Sequence, residues 1–319
     1  MTPLQAQLEA DLVRAPDDLA THMAYGDYLA ERGDPRGELI QVQLALEDPE
    51  RTPEQRFDLH QREGELLDRH WRSLLGPLAD YIADRHSLEN RVTFRRGWID
   101  SIRLGLLGIE LAEALVHTPN LSLLRSVRLV DLIPHPPGTG FDPDLALIRL
   151  QSLSQLPNLR SLSIGDHEGD AGLRPFSDPE IGEFVHCFRQ LEELNLNIVG
   201  AEPSLLSIQI PALRVLRLDR FRFGDTGVDW LLTAPFFTSL HTLQVWNGRL
   251  TDTGARALAR HLHTRSLKLL DVSFNWLTST GIDALESVCK NLRAEYQLTP
   301  ETDVDFLAEQ ADPYGGDWE

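Results

Sequence analysis

Any chemistry in this sequence has to come from a short list of side chains. The 319 residues contain two cysteines, Cys187 and Cys289, and His186 stands directly before the first of them. His261 and His263 lie two residues apart. A thiol beside an imidazole could serve nucleophilic catalysis, and paired histidines could hold a metal. Residues one or two apart on a helix face different directions, however, and do not converge on one atom. The apolar neighbours Ile181, Phe184, Val185 and Phe188 place Cys187 on a helix, and Cys289 falls on a later one. Both thiols therefore read as small hydrophobes. The acidic run Asp166-His167-Glu168-Gly169-Asp170 has the start of a calcium loop, but Ala171 occupies the place of its glycine and Ser177 that of its closing acid. It reads as a solvated loop. With no Gly-rich phosphate loop and no GxSxG elbow, the expectation is no catalytic residue, no cofactor and no metal.

One further charged cluster stands out. Glu31, Arg32, Asp34, Arg36 and Glu38 follow one another within eight residues. They could form a contact site for a partner, centred on Arg36 and Asp34. The plainer reading is that they cap two helices and pair across the turn between them, and that reading is preferred.

Charge narrows the partners. Forty-nine acidic against thirty basic residues give a formal net charge of −19, which disfavours nucleic acid and anionic membranes as partners. Lys268 and Lys290 are the only lysines, an arginine bias explained by a GC-rich genome. No apolar run is long enough to span a bilayer. The first residues lack the basic start and apolar stretch of a signal peptide. Two cysteines are too few for a disulfide framework, so the expected compartment is the reducing cytoplasm.

The elements that position these residues announce themselves by repetition. Segments starting at Leu213 (LRVLRL), Leu240 (LHTLQV) and Leu267 (LKLLDV) are spaced 27 residues apart. The same period carries Phe223, Leu250 and Leu277, then Gly227, Gly254 and Gly281, then Leu231, Leu258 and Leu285. In each LxxLxL the last two apolar residues are two apart, as in a strand with one buried face. Asp225-Thr226-Gly227, Asp252-Thr253-Gly254 and Ser279-Thr280-Gly281 then read as helix starts with capping oxygens. One strand and one helix bury no core alone, so neighbouring units must stack.

This pattern resembles leucine-rich repeats of the longer, ribonuclease-inhibitor-like kind. Residues 267–277 fit LxxLxLxxNxL at every marked position, with valine for one leucine. Weaker copies start at Leu191, Leu159, Leu124 and Ile99, making about seven repeats over residues 91–298. The ladder asparagine occurs only at Asn275; Leu107, Leu132, His167, Val199, Phe221 and Gly248 fill the matching positions. Those turns must satisfy their backbone groups in other ways. Spacing stretches in the middle, leaving loops near 131–143 and 165–179. The resemblance implies an α/β leucine-rich repeat solenoid, with parallel strands on the concave face and helices on the convex one.

Residues 1–90 read as a small all-helical N-terminal module. Thr2-Pro3-Leu4-Gln5 is a cap, a proline at the first helical position and a capping-box glutamine, and Thr52-Pro53-Glu54-Gln55 opens a fourth helix that ends before Gly76-Pro77. Further helices are expected from Asp18 to Arg32 and from Asp34-Pro35 onward. The run from Met23 to Ile40 (MAYGDYLAERGDPRGELI) resembles the bacterial repeat-companion domain, a family that precedes repeat arrays and whose own role is unknown. Phe94-Arg95-Arg96-Gly97-Trp98-Ile99 is similar to the junction such proteins use on entering their first repeat. Residues 299–319 read as an acidic C-terminal tail.

Function is then expected on the surface. Alternation assigns one outward row to Arg103, Arg128, Ser163, Asn195, Arg217, Gln244 and Asp271. The next is Gly105, Val130, Gly165, Asn197, Asp219, Trp246 and Ser273, with Arg220, Asn247 and Phe274 beyond. Exposed Trp beside Arg is hot-spot composition. The expected binding residues for a protein partner are Arg217, Asp219, Arg220, Gln244, Trp246, Asn247, Asp271 and Phe274, in a non-enzymatic chain. One alternative makes the helical module the binding element. Another is an enzyme with a pocket between module and first repeat, in which Arg36 or Arg95 holds an anion.

Overall fold

The structure is a computed structural model. It describes residues 2–81, 91–104, 121–130, 151–165, 178–198, 206–221, 223–262 and 267–303, with 111, 114, 115 and 118. The chain divides into two compact units, Met1–Leu162 and Ser163–Glu319. Among the described residues, nine strands follow one another in the sheet in sequence order.

The first unit begins with four helices: α1 (Pro3–Arg14), α2 (Leu19–Ala30), α3 (Pro35–Leu46) and α4 (Pro53–Leu75). Their starts follow from the caps. The Thr2 hydroxyl accepts from the Gln5 amide, Asp34 accepts from the Arg36 amide, and Thr52 with Gln55 forms a full capping box. Strands β1 (Val92–Arg95) and β2 (Trp98–Leu104) then form an antiparallel hairpin. Its two-residue turn needs positive φ at both central positions, supplied by Arg96 (50°) and Gly97 (73°).

This hairpin is keyed into the helices. Trp98 joins Leu12, Tyr25, Tyr28, Leu29, Ile40 and Leu123 in one core, while Phe94 packs against Leu39, Val42, Leu66 and Leu74 in another. Gln43 accepts from the Gly97 amide at 2.7 Å and donates to the Phe94 carbonyl at 3.1 Å. Gly97 is obligatory: a Cβ there would overlap Ile40. From β2 the sheet turns parallel through β3 (Ser126–Leu129), and β4 (Ser161–Ile164) lies across the division between the units.

The second unit alternates strand and helix: α5 (Asp178–His186), β5 (Glu193–Asn197), β6 (Val215–Asp219), α6 (Gly224–Thr233), β7 (Thr242–Trp246), α7 (Asp252–Leu262), β8 (Leu269–Asp271), α8 (Ser279–Glu286) and β9 (Leu292–Arg293). Strands β5 to β9 are parallel. The repeat columns form the core: Leu216, Leu218, Leu243, Val245, Leu270 and Val272 from the strands are buried with Phe223, Leu250, Leu231, Leu258 and Leu285. Each leucine so buried contributes about 2 kcal/mol. The fold is an α/β leucine-rich repeat solenoid preceded by a helical module.

Two inter-repeat devices hold β6 to β9 in register. Asn275, fully buried, accepts from the amides of Gly248 and Leu250 through Oδ1 and donates to the carbonyls of Val245, Val272 and Ser273 through Nδ2. Gln297 repeats the arrangement beyond β8, accepting from Leu277 N and donating to Val272 O. In the other direction, Asp225 reaches forward to the start of the next helix. Its carboxylate accepts from Thr251 N, Thr251 Oγ1 and Gly254 N. Asp252 binds Thr278 N and Oγ1 in the same way. These bonds hold the Asp252 carboxyl below its ordinary pKa. Two of the three glycines in the column are thereby explained, because a Cβ on Gly254 or Gly281 would strike the Asp225 or Asp252 carboxylate; a Cβ on Gly227 would meet the Phe223 ring instead.

Candidate interaction face

The expected outward rows exist. Pairing aligns Asn195, Arg217, Gln244 and Asp271, and then Asn197, Asp219 and Trp246. A third row, Val215, Thr242 and Leu269, shares the face and is partly exposed throughout. Apolar character hid that row in the sequence, since Val and Leu at strand positions read as core.

The eight expected binding residues separate by burial. Gln244, Asp271 and Asp219 are 6%, 3% and 7% exposed, which corrects their reading as contact residues. They are the polar floor of the face. Asp271 accepts from the amide and hydroxyl of Ser273 at 3.1 and 2.8 Å, and Gln244 leans toward it. Asp219 accepts from Asn247 Nδ2 at 2.8 Å. Alternation assigns a side of the strand and does not report this burial. Arg217 stays half-exposed, held by Glu193 and by Asn195 at 2.9 Å. Trp246, Arg220 and Asn247 are also half-exposed and Phe274 is exposed.

Arg220, Asn247, Phe274 and Tyr296 occupy one column, each just beyond its strand, and all four have positive φ between 49° and 59°. The Arg220 amide donates to Trp246 O and the Phe274 amide to Glu295 O. The left-handed turn is therefore part of the repeat. The Phe274 and Tyr296 rings stack with centroids 5.3 Å apart. Tyr296 belongs to β9 and its turn, a shortened unit set 22 residues after the last full repeat, as the pairing of Leu270 with Leu292 shows. The change of period concealed it in the sequence.

The first unit places its singled-out residues differently. Asp34 is a helix cap. Arg36 is 7% exposed, lies over the Tyr25 and Trp98 rings, donates to the Tyr25 hydroxyl and pairs with Glu9 at 3.9 Å. Arg95 and Arg125 both bind Asp17, at 3.1 and 2.8 Å, and lower its pKa. Arg96 makes a bidentate pair with Glu47 at 2.8 and 2.6 Å and lowers that carboxyl too. Of the two arginines expected to hold an anion, Arg95 thus binds Asp17 and Arg36 pairs with Glu9. Nearby His22 is 1% exposed, with Nε2 at the Pro16 carbonyl. Its Nδ1 has no hydrogen-bond partner among the described residues, and burial pushes its pKa down.

Cys187 sits just past the end of α5 rather than on it, bonds the Glu183 carbonyl, and is held protonated by burial. Cys289 is buried. Residues 166–177, with the calcium-like run, lie outside the described residues, as do His263 and the 131–143 loop. Among the described residues no His, Cys, Asp and Glu group is placed to hold a metal, and no helix is long and apolar enough to cross a membrane.

A family described as Leucine Rich repeat matches residues 263–285, the stretch containing β8 and all of α8 but its last residue. No curated protein matches the chain. A crystal structure of a protein from Bacteroides fragilis is similar at 14% identity and a TM-score of 0.37, covering 77% of this chain and 86% of that one. Leucine-rich repeats commonly mediate protein–protein interaction and are generally non-enzymatic.

Proposed function

We propose that the chain is a non-enzymatic protein-interaction module that binds a partner protein on the outward face of β6 to β8. The supporting observation is the grouping of Arg217, Arg220, Trp246 and Asn247 over a satisfied polar floor, flanked by Val215, Thr242 and Leu269. Aromatic and arginine side chains around partly apolar surface are what protein interfaces favour. The pre-paired floor lets a partner dock without leaving a buried charge orphaned. We assign residues 1–90 to a repeat-companion module on the Met23–Ile40 run, 91–298 to the solenoid and 299–319 to an acidic tail, in a bacterial cytoplasmic protein.

Affinity capture from native lysate tests this reading. Wild type is compared with Arg217→Glu/Trp246→Ala, after circular dichroism shows that the variant folds. A protein held by wild type and lost by the variant supports the face. Equal retention by both refutes it. One observation favours a second reading, with the helical module as the binding element. A groove of about 680 Å³ runs beside α3 and α4, lined by Gly33, Pro35, Glu38, Arg62, Leu66 and His70 among others. Retention by both versions would direct attention there.

A further inference from the structure

We infer that the stacked pair Phe274–Tyr296 is a docking shelf for arginine side chains of a cationic partner segment. The inference rests on the interaction-module reading and names the partner's chemistry at one end of the same face.

Three observations carry it. The first is a conflict between local preference and sequence. The column Arg220, Asn247, Phe274, Tyr296 requires left-handed backbone at each turn. Asparagine and glycine accept that conformation most readily, and bulky aromatics poorly. Asn247 follows the preference; the last two positions carry rings instead. Residues that oppose their local backbone preference mark places where the side chain is needed for something else. The second is exposure. Tyr296 is 71% exposed although Phe274 covers one of its faces, so the opposite face of the phenol ring is open to solvent. Phe274 itself is 38% exposed. A partly open pair of nearly parallel rings offers negative π-faces to a cation.

The third observation is charge complementarity. Across residues 267–303 the exposed carboxylates are Asp283, Glu286, Glu295 and Glu301 against the exposed cations Lys268, Lys290 and Arg293, within a chain of net charge −19. Glu295 stands directly beside Tyr296. A cationic segment is drawn to the molecule by its net negative charge and held at this end by the rings. Arginine fits better than lysine, because a planar guanidinium stacks on an aromatic face and gives up its hydration more easily. The chain already uses this contact internally, with Arg32 over Tyr28 at 3.7 Å and Arg36 over Trp98 at 4.8 Å.

Calorimetric titration of the full chain with a short peptide of alternating Arg and Ser tests the shelf. A Lys–Ser peptide of equal charge is the control. The informative variant is Phe274→Asn/Tyr296→Asn, which removes both rings while installing the residue that tolerates the turn, as at Asn247. The shelf requires that the arginine peptide bind wild type about threefold to fivefold more tightly than the lysine peptide, and that the variant abolish this difference while remaining folded. Equal affinity for the two peptides in wild type overturns the inference. So does an arginine preference that survives in the variant, or an arginine peptide that does not bind. A partner captured through Arg217 and Trp246 together with any of these results sinks the shelf alone and leaves the wider face standing.

Discussion

Asn275→Ala is the substitution whose cost follows most directly from the structure. The side chain is fully buried and makes five hydrogen bonds, two accepted from Gly248 N and Leu250 N and three donated to Val245, Val272 and Ser273 carbonyls. Alanine leaves both amides buried without an acceptor. The three carbonyls lose a donor, although a carbonyl with a second lone pair suffers less. At about 1–3 kcal/mol for each orphaned donor, plus a smaller share for the carbonyls, the expected destabilisation is about 3–5 kcal/mol. Urea unfolding of the full chain would measure it, with hydrogen exchange of the amides between 240 and 298 to localise it. Asn275→Asp is the informative companion. It keeps an acceptor for the two amides but turns an anion toward three carbonyls, so it too should destabilise strongly. A loss below about 1 kcal/mol for Asn275→Ala would refute the claim that this amide holds the repeats together.

Other outcomes follow from the same geometry. Gly281→Ala pushes a methyl against the Asp252 carboxylate and should cost about 1–3 kcal/mol; in an Asp252→Ala background most of that cost should vanish, a non-additivity that thermal melts of the four proteins would reveal. Gly97→Ala combines a positive φ with overlap on Ile40, and should loosen α3 from the β1–β2 hairpin, read as faster hydrogen exchange at Gly97 and Trp98. His22 has a depressed folded pKa, so its neutral form favours folding. That contribution is complete above the unfolded pKa of about 6.5 and declines as pH falls below it; His22→Gln should flatten the stability profile there. Glu47, also depressed, contributes above its ordinary pKa and loses its contribution as pH falls through the folded value. The Glu47→Gln variant should therefore be less stable than wild type at neutral pH, and the two profiles should converge as pH falls through that more acidic window.

The legible and illegible parts of this molecule divide along a physical line. Helix starts were readable because Thr2, Asp34 and Thr52 act on their own first turns, within three residues of themselves. The strands were readable because leucines recur with one period. What stayed hidden acts across the stack. Asp225 and Asp252 look like caps for α6 and α7, yet their carboxylates serve α7 and α8, 26 to 29 residues on. Arg36 reads as a surface charge because arginine usually is one; it is buried because Trp98, far away in sequence, supplies an aromatic lid. Alternation assigned Asp219, Gln244 and Asp271 to the rows that the strand pairing forms. It could not show that the three are buried. Tyr296 escaped notice because its unit is five residues shorter than the 27-residue period.

The two sets of inter-repeat bonds run in opposite senses: Asn275 and Gln297 serve the unit before them, Asp225 and Asp252 the unit after. An inserted copy therefore has to carry both an amide that faces backward and a carboxylate that faces forward. A duplicate of residues 252–278, which includes Asp252 and Asn275, brings one of each, whereas a duplicate of 225–251 brings the carboxylate with Gly248 in place of the amide. Lengthening this protein by design, or by gene duplication, should succeed with the first segment and falter with the second.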